Sequence, residues 1–299
     1  MYRNMILLMI PVVLMGTKYA GEFQDLQVGA RSSSMGGTGV ALLGDPASMY
    51  FNPAATFYAQ RSVHLMHAEN FAGIVKNDFG AVVLPRGNMC IGFGMQYVHA
   101  SGIKLTTLPD TTSPPGSSNE PIAYDTVGTS DMLFYINGSK GSGRFSFGAN
   151  VKVFYRNLNA ITGFGGGIDL GVAFRMDYLR VGLAVRDFIL SPLVWSSGRT
   201  ETILPKIALG VAPFFPIRAI NSTITVETDI VKVLDVAGFD VNMGLEYGYK
   251  DFLFGRMGIH RSNYTLGIGL QYKKFTVDYA FMAHPELSST NKFSAGYRF

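Results

Sequence analysis

The final 38 residues, Ser262 to Phe299, leave the chain few choices of fold. Three segments there, 264–272, 275–283 and 292–299, alternate large apolar with small or polar residues at a period of two, the side-chain spacing of a β-strand. Tyr264, Leu266, Ile268, Leu270 and Tyr272 share one face of the first segment. Phe275, Val277, Tyr279 and Phe281 share a face of the second, and Phe293, Ala295, Tyr297 and Phe299 a face of the third. Each apolar face begins or ends in Tyr or Phe. Aromatic rings at strand ends with aliphatic residues between them fit the two interfacial girdles of a membrane β-barrel.

The same periodicity runs back to Arg61. Fourteen strand candidates can be drawn, at 61–69, 77–86, 88–101, 127–138, 143–156, 165–176, 178–188, 203–213, 220–231, 238–249, 252–260, 262–272, 274–283 and 290–299. Most match the ~9–11 residues a tilted strand needs to cross hydrocarbon. Ten have a clear facing; those near 61, 77, 127 and 252 are ambiguous. In the ten, the apolar face carries no charge, while the other holds Lys152, Asp169, Arg175, Arg180, Arg186, Lys206, Glu227, Asp229, Asp240, Glu246, Asp278 and Arg298. A cation on the lipid face near the midplane costs about 2–4 kcal/mol, so a bilayer enforces such segregation, with the charges meeting as ion pairs in a crowded lumen.

A soluble β-sandwich would segregate charge too. Its outer face would be rich in Lys and Glu, whereas here the polar face is mostly Gly, Ser, Thr and Asn. Only 15% of the chain is charged, against about 25% in soluble domains. Connection lengths agree with a barrel: turns are short on the side of the chain's amino-terminal end and long on the other, at 102–126, 157–164, 189–202 and 284–289. The first of these, with Pro109, Pro114, Pro115 and Pro121, reads as a mobile external loop.

Residues 1–20 read as an export signal, with Arg3 ahead of an apolar run from Met5 to Met15 too short to span a bilayer. Residues 21–60 form a compact segment with two helix starts, Asp45-Pro46 and Asn52-Pro53, each an N-cap residue followed by proline. Residues 61–299 are the barrel. A net charge of +4 without a basic cluster argues against nucleic acid. Cys90 is alone, so no intrachain disulfide forms, and it reads as a wall residue.

No Gly-x-Ser-x-Gly elbow or His-Glu-x-x-His pair occurs, so the chain is expected to be non-enzymatic, with no cofactor or metal. His64 and His67 point to opposite strand faces and cannot share an ion. Glycines 36, 37, 39, 163 and 165–167 lack phosphate-loop spacing and read as close packing. The stretch Ile189, Leu190, Leu193, Val194 and Trp195 places five large apolar residues at the outer end. It is either a lip for a partner or ligand or packing into the barrel mouth.

The run VGARSSSMGGTGVALLGDPASMYFNPAA, Val28 to Ala55, resembles the amino-terminal signature of the PorV/PorQ family within the FadL-like outer-membrane barrels. HAENFAGIVKNDFGAVVLP (67–85), VGLAVRDF (181–188), ILPKIALGV (203–211) and VDYAFMAHPELSSTNKFSAGYRF (277–299) extend the likeness over nearly the whole mature chain. The last strand, with Phe293, Tyr297 and Phe299, resembles the terminal signal that barrel-insertion machinery reads. The resemblance implies an all-β fold: a fourteen-stranded antiparallel up-and-down barrel in the bacterial outer membrane. Its amino-terminal segment would fold inward as a hatch containing Gly29, Met35, Gly36, Gly37, Asp45, Asn52, Pro53 and Ala54. It further implies an accessory role in type IX secretion and surface attachment, with a translocon, a sortase or exported cargo as partner. The alternatives are a FadL-like transporter of long-chain fatty acids or other hydrophobic small molecules, and a purely structural barrel. Ser32–Ser34, Thr56–Tyr58 and Asp187 depart from the family pattern.

Overall fold

The computed structural model describes residues 20–261, 263–284 and 288–299; the export-signal reading rests on residues outside them. Alternation translates into β1 (Ser62–Asn70), β2 (Val75–Arg86), β3 (Met89–Thr107), β4 (Ile122–Ser142), β5 (Phe145–Leu158), β6 (Ile161–Arg175), β7 (Leu179–Arg186), β8 (Ser191–Trp195), β9 (Thr200–Ile203), β10 (Lys206–Ile217), β11 (Ser222–Val233), β12 (Asp240–Tyr249), β13 (Leu253–His260), β14 (Asn263–Tyr272), β15 (Phe275–Met282) and β16 (Thr290–Arg298). Every pairing is antiparallel, and β16 returns to β1, so that fourteen strands close a barrel while β8 and β9 add a hairpin at its rim. Closure satisfies the backbone of each strand inside the bilayer without leaving an edge. The chain is a fourteen-stranded antiparallel β-barrel of the bacterial outer membrane.

Facing follows the sequence pattern. Leu266, Ile268 and Leu270 on β14 and Met243 and Leu245 on β12 are exposed, whereas Thr265 and Glu246 are buried. Tyr272, Phe275, Tyr297 and Phe299 make an aromatic cluster at the short-turn end, with Phe275 and Tyr297 4.9 Å apart and Tyr297 stacked on Phe299.

Two connections differ from expectation. The 102–126 segment is not a free loop: β3 and β4 run on past their other neighbours as a ribbon to Thr107 and Ile122, through two register shifts. Apolar Ile103, Leu105, Ile122 and Tyr124 supply the pairing that the surrounding prolines mask. Its tip is tied by Asn119, whose amide donates to the Asp110, Ser113 and Pro114 carbonyls. The Ser113 and Thr112 hydroxyls hold the Asp110 carboxyl down at about 2. The second is 189–202, which contains β8 and β9. Here β7 and β8 are one wall strand in two pieces, both paired with β6. Between Gly165↔Leu193 and Leu170↔Val185, four β6 residues (166–169) face seven (186–192), so 187–190 bulges, with Asp187 buried and Phe188, Ile189 and Leu190 exposed.

Residues 20–60 lie inside the barrel as a chain of short turns, including α1 (Ala30–Ser34), α2 (Ser48–Phe51) and a 3₁₀ turn, Pro53–Tyr58. Asn52 caps the last of these by accepting from the Ala54 N–H at 3.0 Å, with Pro53 supplying the fixed φ. Asp45 accepts from the Ala47 N–H at 2.8 Å one turn ahead of α2. The wall makes room with glycine. A Cβ at Gly182 would clash with the Val40 carbonyl oxygen, and one at Gly148 would meet the Pro53 carbonyl at 2.5 Å. Gly182→Val is therefore expected to assemble a barrel whose interior segment cannot seat. Protease should then cut within 20–60 while the heat-modifiable gel shift of the barrel persists; an uncut segment would contradict the fit.

Candidate functional site

The candidate site is the boundary between the interior segment and the wall, and its two sides differ chemically. On β11–β15 the contacts are ionic. Glu246 takes the Arg31 guanidinium at 2.6 and 2.8 Å and Arg256 Nε at 2.6 Å, while Arg256 Nη1 reaches Asp278 at 2.6 Å. The Arg256, Glu246 and Asp278 side chains are all nearly inaccessible to solvent. Next to them, Asp229 Oδ2 accepts the backbone N–H groups of Gly39 and Val40 at 2.8 and 3.1 Å, and Glu227 Oε1 accepts that of Ala41 at 2.8 Å. Three consecutive interior amides are thus held by two neighbouring acidic side chains of the wall.

A second ionic knot closes the bulge between β7 and β8. Lys152 Nζ lies 2.8 Å from Asp169, 2.9 Å from Asp187 and 2.8 Å from Gln24 Oε1 of the interior segment. Ser191 Oγ donates to Asp187 at 2.8 Å, and the Asp187 N–H to Asp169 at 2.9 Å. Asp187 adopts φ 54°, in the left-handed region; its two side-chain bonds hold it there.

On β1–β5 and the β8–β9 hairpin the boundary is mainly apolar. Phe23, Val28, Met49, Tyr50 and Phe51 of the interior segment join Met66, Phe79, Val83, Cys90, Leu133, Tyr135, Phe154, Leu193, Trp195 and Ile203 of the wall in one buried cluster. It runs from Trp195 at the outer rim to Val83 and Cys90 near the short-turn end. Met49 fits a glycine notch on β3: its Sδ lies 2.7 Å from where a Cβ of Gly94 would stand. Wall amides fasten the seam to interior carbonyls, Asn150 to Met49 at 2.8 Å, Gln96 to Leu26 at 2.8 Å and Asn137 to Pro53 at 3.1 Å. At the rim the Arg156 guanidinium lies over Phe23 at 4.2 Å and Trp195 at 5.6 Å, and pairs with Asp131 at 2.8 Å.

The residues singled out from sequence distribute as follows. Gly29, Met35, Gly36, Gly37, Asn52, Pro53 and Ala54 are buried in the lumen, and Asp45 is half-buried, 3.4 Å from His64. Lys152, Asp169, Lys206, Glu227, Asp229, Glu246 and Asp278 are buried. Lys206 pairs with Asp25 of the interior segment. Arg186 lies over the Tyr50 ring at 5.1 Å and Arg180 over Phe214 at 4.6 Å. Arg175 and Arg298 belong to the short-turn mouth, and Asp240 to the outer rim, where it bonds Arg261 at 2.6 Å. The apolar stretch divides: Leu193 and Trp195 are buried in the mouth because β8 turns them inward, whereas Ile189, Leu190 and Val194 face out. As an exposed lip it is thus reduced to three residues. Phe293 and Phe299 face outward and Tyr297 does too.

Sequence reasoning missed Arg31, Arg256, Asp187, Lys292 and the amides Asn137, Asn150 and Gln96. Lys292 shares parity with Ser294 and was legible; it is buried and donates to the Gln27 carbonyl at 2.7 Å.

No family model and no curated protein matches the chain. Among solved structures, the toluene transporter TodX of P. putida superposes with a TM-score of 0.64 at 14% identity, over 92% of this chain and 99% of TodX. The toluene transporter TbuX of Ralstonia pickettii gives 0.62 at 14%, over 92% and 99%. A TodX variant described as a monoaromatic hydrocarbon channel gives 0.61 at 14% identity, over 92% and 100%. These likenesses show the same barrel fold.

Proposed function

We propose that this protein conducts small hydrophobic molecules across the outer membrane, with residues 20–60 as a movable stopper and no catalytic role. The observation that carries the reading is the apolar seam: one contiguous greasy boundary spans the lumen from Trp195 to Cys90, between the segment and strands β1–β5 with the β8–β9 hairpin. The seam's wall amides are already paired with interior carbonyls, so a polar solute gains little there, whereas an aromatic or alkyl molecule replaces contacts of its own kind. The ionic side of the lumen supplies the complementary property, a set of charge contacts that return the stopper to one position. Transport of toluene by the two structural neighbours agrees with this chemistry, and the secretion-partner reading rests on the sequence resemblance alone.

The test is uptake by vesicles containing the purified protein, offered toluene, a labelled fatty acid or a sugar of similar size. Uptake of at least one hydrophobic compound above protein-free vesicles is expected, with none for the sugar. Leu133→Asp, which puts a charge in the middle of the seam, should cut uptake at least tenfold while the barrel still assembles. Uptake equal to that of empty vesicles, with a translocon or sortase recovered on pull-down from solubilised outer membrane, would instead support the secretion role.

A further inference from the structure

The outward face of β1 and β2 breaks the rule the clearly facing strands obey. His67 and Glu69 on β1 and Lys76 and Asp78 on β2 point away from the lumen. They are not scattered. His67 Nδ1 and Asp78 Oδ1 are hydrogen-bonded at 2.7 Å, and the register places this pair between the aromatic residues Phe293 of β16 and Tyr97 of β3. One step further out Glu69 stands opposite Lys76, and Lys76 opposite His99, whose ring stacks on Tyr97 with centroids 4.8 Å apart. The His99 Nδ1 atom is buried without a partner. Acids and bases therefore alternate at headgroup level.

Directly below lies a hollow in the wall's outer surface. The row beneath the His67–Asp78 pair reads Val277, Ala295, Leu65, Gly80, Met95, Phe134 across six neighbouring strands. Ala295 and Gly80 are the small members, and they leave a trough of about 840 Å³ that His67, Asp78 and Tyr97 border above. A second hollow of about 530 Å³ shares Leu65, Gly80 and Met95 and continues toward the short-turn end as far as Val63 and Ile136. From His67 to Val63 is four residues of strand, ~13 Å, a length suited to an alkyl chain lying against the wall.

We infer that this face binds one phospholipid of zwitterionic headgroup, its acyl chain in the trough over Gly80 and its amine and phosphate among Asp78, Glu69, Lys76 and His99. A head carrying both signs meets both signs of side chain. A purely anionic head would set its charge against Asp78 and Glu69, and a neutral hydrocarbon would leave the ionic cluster facing nothing. The site lies outside the barrel and is independent of what the lumen conducts.

The protein should be purified from outer membranes, exchanged into lipid-free detergent, titrated with phosphatidylethanolamine or phosphatidylglycerol, and examined by native mass spectrometry. Wild-type protein is expected to retain one phosphatidylethanolamine at least tenfold better than phosphatidylglycerol. Asp78→Asn should abolish that preference. Gly80→Leu fills the trough from outside, where the nearest atom to a new Cβ is Leu65 Cδ2 at 3.5 Å, and should reduce retention of both lipids tenfold. If Asp78→Asn does not assemble, judged by the gel shift, Gly80→Leu and Lys76→Gln decide. Equal retention of the two lipids by wild-type protein, or retention unchanged in Gly80→Leu, would overturn the assignment.

Discussion

Glu246→Gln should lower the temperature at which the folded barrel band converts to the unfolded one, and should expose residues 20–60 to protease well below that temperature. Glu246 is the only carboxylate that touches both Arg31, from the interior segment, and Arg256, from the wall, among the described residues. A glutamine keeps the shape and removes the charge, so the half-buried Arg31 guanidinium faces a neutral amide and the buried Arg256 keeps Asp278 as its one acid. Breaking a buried pair by taking one partner costs about 3–5 kcal/mol, and at ~1.4 kcal/mol per decade the undocked population should rise by two to three orders of magnitude. Arg31→Gln separates the two halves of the effect, because it loosens the segment while Arg256 keeps both acids. Protease patterns and melting temperatures identical to wild type in both variants would mean that the ionic side does not hold the stopper.

The second large effect is electrical. Asp229→Ala leaves the Gly39 and Val40 N–H groups without an acceptor in a buried setting, at about 1–3 kcal/mol each. The grip on 39–41 then rests on Glu227 and one amide, Ala41. In planar bilayers the wild-type protein is expected to be nearly silent and Asp229→Ala to show bursts of current. Deletion of 21–60 sets the ceiling, a steady open level. Bursts in wild-type protein as frequent as in the variant would remove the carboxylate grip from the account.

Which parts of this arrangement the sequence exposes follows from what alternation measures. Strand positions and facing were legible wherever one face meets lipid and the other meets polar contents, as on β12 or β14, because only there does the apolar signal have a period of two. On β1, β2 and β4 it fades. Met66 and Ala68, Phe79, Ala81 and Val83, and Leu133 and Tyr135 are apolar residues that face inward, so apolar residues fall on both faces of these strands, and on β1 and β2 ionic residues stand outside as well. The seam is what blurred them. On β13 the blur has another source, since glycines at 255 and 258 stand on both faces and Arg256 was the one clear inward marker. Lumen charges were readable as a set, but not their partners, because Arg31, Asp25 and Gln24 come from a segment with no periodicity. The bulge at 187–190 was hidden by Pro192 and Gly198, which make β8 look like loop.

The central claim is that residues 20–60 sit within the bore with Met49 against β3. The most direct measurement is cross-linking in intact outer membranes, with Cys90 replaced by Ala and cysteines placed at Met49 and Gly94. A short bismaleimide should join them in nearly every molecule, producing a looped species of altered mobility that protease cannot separate. Two singly modified cysteines, both open to a bulky water-soluble maleimide and never joined, would place the segment outside the barrel and contradict the account.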